Sequence, residues 1–202
     1  MAAIENNWID LYNYFDKDLP YKRPLIKIFM NKLELIPYFN TKMVRGDGCC
    51  MLYMINELIG ENKFSKEILA ELLLSDKYKD IKESYKSAEK KDLIDELFNT
   101  NNLSEIFLRI ISKEINKNIF GFFCKIDKNE YFTVDVKYPE NRDTIYILNK
   151  DGHYYPLQKK NERDIIDNEF LKSIWLGKLD ISQKYYIKYL KYKNKYLELK
   201  KK

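Results

Sequence analysis

Three thiols and a single imidazole stand out among the chemistry-bearing side chains of this 202-residue chain: Cys49, Cys50, Cys124 and His153. Two of the thiols close the run Arg45-Gly46-Asp47-Gly48-Cys49-Cys50, which leads directly into an apolar stretch ending at Ile59 and Gly60. A thiol in the first turn of a buried helix meets unpaired backbone N–H groups and the positive end of the helix dipole. Both favour the thiolate, the form that attacks carbonyl carbon. Glycines ahead of it let the backbone approach a substrate and turn N–H groups towards a developing oxyanion. Such a site performs acyl transfer. The bland alternative is that Cys50 is a small apolar residue opening a core helix, the commoner fate of a cytosolic cysteine.

Acyl transfer through a thiol needs a base, and the only histidine is His153. It follows the apolar run Ile145–Leu148 and a turn at Asn149-Lys150-Asp151-Gly152, so it opens the next strand. An imidazole there can be held against a helix N-terminus across the sheet and act as general base. Taken alone, a turn histidine is also a common surface residue.

The elements that must position this pair follow from patterning. Ile4, Trp8, Leu11 and Tyr12 fall at helical spacing, Pro20 and Pro24 break the chain, and Leu25–Leu35 reads as a further helix. Tyr38–Arg45 reads as irregular, and Cys50–Ile59 as a buried helix ended by Gly60. Ser65 can cap a helix over Lys66–Leu74. The lysine- and glutamate-rich stretch 76–98 reads as exposed helix with Leu93 and Leu97 inward, and Ser104 as the cap of a helix with an Ile106, Phe107, Ile110, Ile111, Ile115 stripe. Strands are expected at Ile119–Cys124, Tyr131–Val136 and Thr144–Leu148 and from His153 onward, then a helix or irregular segment over 163–176. Helices followed by consecutive strands give an α+β fold, a small and mainly antiparallel sheet packed between helices.

Composition narrows the function classes. No apolar stretch reaches the length of a membrane span, and the N-terminal residues lack the pattern of a secretory signal, so a cytoplasmic protein is expected. One histidine and three cysteines without C-x-x-C or H-x-x-x-H spacing leave little for zinc. The net charge of +5 is local: residues 182–202 hold eight lysines against one glutamate, a net of +7, so residues 1–181 carry −2. Nucleic acid is therefore not expected as a partner of the body. Ile187, Leu190, Asn194 and Leu197 lie at heptad-like intervals in this tail, which reads as a basic helix following a domain at 1–181. Its style resembles basic tails of proteins from large DNA viruses.

The two motifs together resemble the OTU (ovarian tumour) family of cysteine proteases and deubiquitinases. That family has an Asp-Gly-Asn-Cys block followed by apolar residues and, after a strand and a turn, His-Tyr followed by Asp or Asn. Here the counterparts are Asp47-Gly48-Cys49-Cys50-Met51-Leu52 and His153-Tyr154-Tyr155-Pro156-Leu157, and the resemblance spans about residues 39–157. It implies the OTU protease fold and cysteine-dependent hydrolysis of isopeptide bonds at the ubiquitin C-terminus. By register Cys50 is the nucleophile, His153 the base, and the loop from Asp47 to Cys50 the oxyanion hole. No cofactor or metal is implied. The implied partners are ubiquitin or polyubiquitin, with ubiquitin-like modifiers open.

The chain departs from the family pattern twice: Cys49 replaces asparagine, and Tyr155 stands where the orienting acid is expected. A phenol can hydrogen-bond an imidazole but does not stabilise imidazolium as a carboxylate does. Asp10, Asp16, Asp18, Asn40, Asn149 and Asp151 remain candidates for that role, as does a dyad without it. The departure also leaves open an OTU-like module that binds ubiquitin without turnover.

Overall fold

A computed structural model describes residues 33–42, 44–45, 48–84, 90–99, 104–137, 142–163 and 165–177, together with Tyr192, Tyr196 and Leu199. The expected helices near the N-terminus, Asp47 and most of the basic tail lie outside the described residues. The described part is α+β, built on a five-stranded sheet: β1 (Phe39–Thr41), β2 (Asn118–Lys125), β3 (Glu130–Val136), β4 (Thr144–Lys150) and β5 (His153–Lys159). The spatial order is β1-β5-β4-β2-β3. β2 and β4 run parallel, and the other three pairings are antiparallel.

One face of the sheet is covered by helices α1 (Cys50–Ile59), α2 (Lys66–Leu74), α3 (Lys79–Ser84), α4 (Lys90–Asn99) and α5 (Glu105–Ile115). Alternation along the strands sends Ile119, Phe123, Ile145, Ile147 and Tyr154 to this side, where they meet Met54, Ile55, Ile106 and Ile110. The opposite face takes Phe120, Phe122, Cys124, Tyr146, Leu148, Tyr155 and Leu157. It packs on α6 (Asn168–Trp175) and on the 3₁₀ turn Leu33–Tyr38. Fully buried Trp175 anchors α6, because its indole N–H is shared between the carbonyls of Phe123 (3.0 Å) and Phe132 (3.1 Å).

Local chemistry sets the helix ends. Ser65 accepts the N–H of Ile68 and caps α2, Asp167 accepts the N–H groups of Glu169 and Phe170 at the start of α6, and Gly60 ends α1 in the left-handed region. Ser104 precedes α5 but makes no side-chain cap; its N–H goes to Glu96 instead. The side-chain amide of buried Asn56 folds the loop after α1, accepting the N–H groups of Lys63 and Phe64 and donating to the Phe64 carbonyl. No described helix is long and apolar enough to cross a membrane.

Two expectations change. The stretch 76–98 is not one exposed helix: it starts with a 3₁₀ turn, Asp76–Tyr78, and α3 before α4, and both Tyr78 and Ile81 are buried. Tyr78 is drawn in because its hydroxyl donates to Glu114 of α5, which also accepts from Lys77 at 2.7 Å. Those partners, Lys77 first, hold the Glu114 carboxyl below its ordinary range. Tyr38–Arg45 is not wholly irregular either, since Phe39–Thr41 pairs with the end of β5 through Phe39↔Lys159 and Thr41↔Leu157. Three residues at a sheet edge, two of them polar, give no readable alternation.

Candidate active site

Helix α1 starts at Cys50, which is 3% exposed. Gly48, with φ 87°, makes the turn that swings the chain into the helix, a conformation that a side chain would strain. Cys49 occupies the N-cap position but its side chain does not cap the helix, and the first turn contains no acid. The thiol therefore stands at the positive end of a helix that its N-cap side chain leaves open. Its sulfur lies 3.9 Å from the carbonyl oxygen of Gly152, 102 residues away in the chain. Cys49 is half-buried and Cys124 fully buried, and none of the three cysteines is in a disulfide.

Gly152 belongs to the tight turn between β4 and β5. Lys150 and His153 are paired across it, and Asp151 and Gly152 have φ of 50° and 86°. Positive φ at both central residues defines a type I′ hairpin, for which Asp-Gly is a preferred sequence. The turn is tied down on both sides. Asn149 accepts the N–H of Gly152 at 3.1 Å; Asp151 accepts the N–H of Ile126 at 2.7 Å and donates its own N–H to the carbonyl of Cys124 at 2.9 Å. The base is thus mounted on a braced hairpin.

The backbone carbonyl of Val44, in the loop that leads to Cys50, lies near enough to the His153 imidazole to favour its protonated form. The imidazole Nε2 is buried and makes no hydrogen bond among the described residues. Burial pushes the imidazole below its ordinary range, the Val44 carbonyl opposes this, and the nearby Lys150 ammonium adds to the lowering. Alternation in β5 places His153 with Tyr155 on the α6 face, whereas α1 covers the Tyr154 face. The helix therefore meets the hairpin around the first residue of β5, not across the sheet as expected.

Tyr155, at the position of the expected acid, packs edge-on against the imidazole with ring centroids 4.7 Å apart. Of the other candidates for orienting the base, those among the described residues are engaged elsewhere or point away. Asn149 and Asp151 are engaged within the hairpin, with the Asn149 amide also meeting the buried Tyr154 hydroxyl. Asn40 is exposed and pairs with Gln158, on the face opposite to Tyr155. Asp10, Asp16, Asp18 and the oxyanion-loop residue Asp47 lie outside the described residues. Sequence reasoning missed Val44, whose contribution is a backbone carbonyl and has no residue signature. It also missed Lys150, which looks like a surface turn lysine yet is only 5% exposed.

No family model matches this sequence, and no curated protein matches it. Solved structures do resemble it. The viral OTU domain protease of Dera Ghazi Khan virus superposes with a TM-score of 0.48 and 20% identity, covering 63% of this chain and 85% of that one. The Hazara virus OTU bound to ubiquitin gives 0.48 and 14%, covering 63% and 85%. The OTU domain of OTUD1 gives 0.49 and 14%, covering 64% and 91%.

Proposed function

We propose that this chain is a cysteine-dependent deubiquitinase that hydrolyses isopeptide bonds at the ubiquitin C-terminus, with Cys50 as nucleophile and His153 as general base. The observation that supports this most is the meeting of the Cys50 sulfur with the carbonyl of Gly152, next to the only imidazole of the chain. The sulfur attacks the carbonyl of ubiquitin's last glycine as its proton passes to Nε2 of His153. The tetrahedral oxyanion is met by N–H groups of the loop before α1, around Asp47 to Cys50. Collapse of this intermediate expels the lysine amine, which takes the proton from His153 and leaves a thioester. Water, deprotonated by the same imidazole, then releases the ubiquitin carboxylate and restores the thiol. An open cleft of about 530 Å³ beside α1, lined by Val44, Arg45, Tyr53 and Glu57 among others, offers room for an extended chain.

The test is a panel of di-ubiquitin linkages incubated with wild-type protein and with Cys50→Ala. Cleavage of at least one linkage by wild type, lost in the variant, is the expected result; cleavage retained in Cys50→Ala contradicts the mechanism. A second reading, a module that binds ubiquitin without turnover, is favoured by the absence of a carboxylate on His153 among the described residues. It predicts measurable ubiquitin affinity with every linkage left intact.

A further inference from the structure

Two hairpin turns lie at the His153 end of the sheet, and one residue fastens them to each other. Asp151 donates its backbone N–H to the carbonyl of Cys124 at 2.9 Å, and its carboxylate accepts the N–H of Ile126 at 2.7 Å. Cys124 stands near the end of β2, and Ile126 opens the turn into β3. Asp151 therefore adds a rung beyond Cys124↔Lys150, the last pair of the β2–β4 ladder, and half of that rung is a side chain. The receiving turn is itself closed, because Asn129 donates to the Ile126 carbonyl at 3.1 Å.

A plainer reading is that Asp151 serves only its own turn, since Asp-Gly is a preferred pair for a type I′ hairpin. That accounts for its φ of 50° but not for its carboxylate, which reaches out to the β2–β3 turn. Burial does not dictate the reach either. The Asp151 side chain is 41% exposed, with its second oxygen 3.8 Å from the Lys150 ammonium.

What this anchor fixes comes next in the chain. Gly152 meets the Cys50 sulfur through its carbonyl at 3.9 Å, and His153 carries the imidazole. β1 pairs only with Leu157–Lys159, so it lends no strand neighbour to the end of β5 that bears the base. The position where an orienting acid is expected holds Tyr155, whose ring packs edge-on against the imidazole. Resting on the deubiquitinase reading of this site, we propose that Asp151 is a positioning residue. It acts through the backbone, pinning the hairpin to β2 and so fixing where His153 stands relative to Cys50. A shift of about 1 Å at a reacting group is enough to cost on the order of 10²-fold in rate.

The test uses the full-length chain and two readouts: turnover of a fluorogenic C-terminal amide of ubiquitin, and alkylation of Cys50 by chloroacetamide, followed by peptide mass spectrometry. Asp151→Gly accepts the positive φ and removes the carboxylate, whereas Asp151→Asn keeps both an oxygen acceptor and tolerance of that φ. In protein shown to be folded by circular dichroism, Asp151→Gly should lower kcat and the alkylation rate roughly 10- to 10²-fold, with KM changed less than about twofold. Asp151→Asn should bring both rates back to within about threefold of wild type. In a His153→Ala background, Asp151→Gly should change the alkylation rate no more than about twofold, because its effect travels through the imidazole. Wild-type rates in Asp151→Gly, no recovery in Asp151→Asn, or an undiminished loss in the His153→Ala background would each overturn the proposal. Should Asp151→Gly fail to fold, Asp151→Ser, whose shorter side chain falls short of Ile126, is read by the same criteria. Alkylation needs no ubiquitin: the expected pattern in a chain that cleaves no ubiquitin would defeat the deubiquitinase reading and leave the role of Asp151 standing.

Discussion

Helix α1 begins at Cys50 with no cap from the side chain of Cys49 and no acid in its first turn, and the turn before it depends on Gly48. The hairpin that delivers His153 is the reverse. Asn149 and Asp151 bond its backbone from inside and from β2, it has strands on both sides, and Lys150 is buried within it. Uncapped N–H groups are what an oxyanion needs, whereas a base must hold one orientation through two proton transfers. The nucleophile's element is thus left electrostatically open and the base's element is mechanically closed.

The comparison can be broken from the base's side first. His153→Gln keeps the approximate size but removes the basic nitrogen that accepts the proton, so thioester formation should slow by about 10²- to 10⁴-fold with the fold intact. Stopped-flow of a fluorogenic ubiquitin substrate, alongside circular dichroism, measures both. An unchanged rate would mean that the imidazole is not the base. Loosening the hairpin should show in stability: Asn149→Ala strands the Gly152 N–H and should cost about 1–3 kcal/mol in urea unfolding. At the helix start, Cys49→Ala should change the rate no more than roughly twofold, a few tenths of a kcal/mol, since Cys49 caps nothing. A large loss there would show that the second thiol takes part.

The smallest effect sharpens the picture through pH. Burial lowers the proton affinity of folded His153, so the unfolded chain binds the extra proton. The stability tied to this residue is therefore complete above the ordinary value of 6.5 and is lost as pH falls through the lowered folded value. The urea midpoint of wild type should drop more than that of His153→Gln on going from neutral to mildly acidic buffer. Parallel behaviour of the two would place the imidazole in water.

Much of this arrangement was legible before any coordinates. Periodicity marked α1, α2 and α5, β-branched and aromatic runs marked β2 to β4, and Asp-Gly before the lone histidine marked the hairpin. Each of these is a local signal that packing reinforces. What the sequence hid depends on partners distant in the chain. β1 is a three-residue edge whose existence follows from β5, and Tyr78 is buried because Glu114 receives its hydroxyl. Lys150 sits beside a turn yet is buried, and its register across β2 and β5 puts it on the α6 face of the sheet. The approach of α1 around the end of β5 was equally hidden, since strand alternation fixes faces only once the covering helices are known.

The central claim is that the Cys50 sulfur attacks carbonyl carbon with help from His153. Its most direct measurement is reaction of the purified chain with ubiquitin bearing a C-terminal electrophile, followed by peptide mass spectrometry. The account predicts a single adduct on Cys50, absent in Cys50→Ala and strongly slowed in His153→Ala. An adduct on Cys49 or Cys124, or labelling of Cys50 that proceeds as fast without the imidazole, would contradict it.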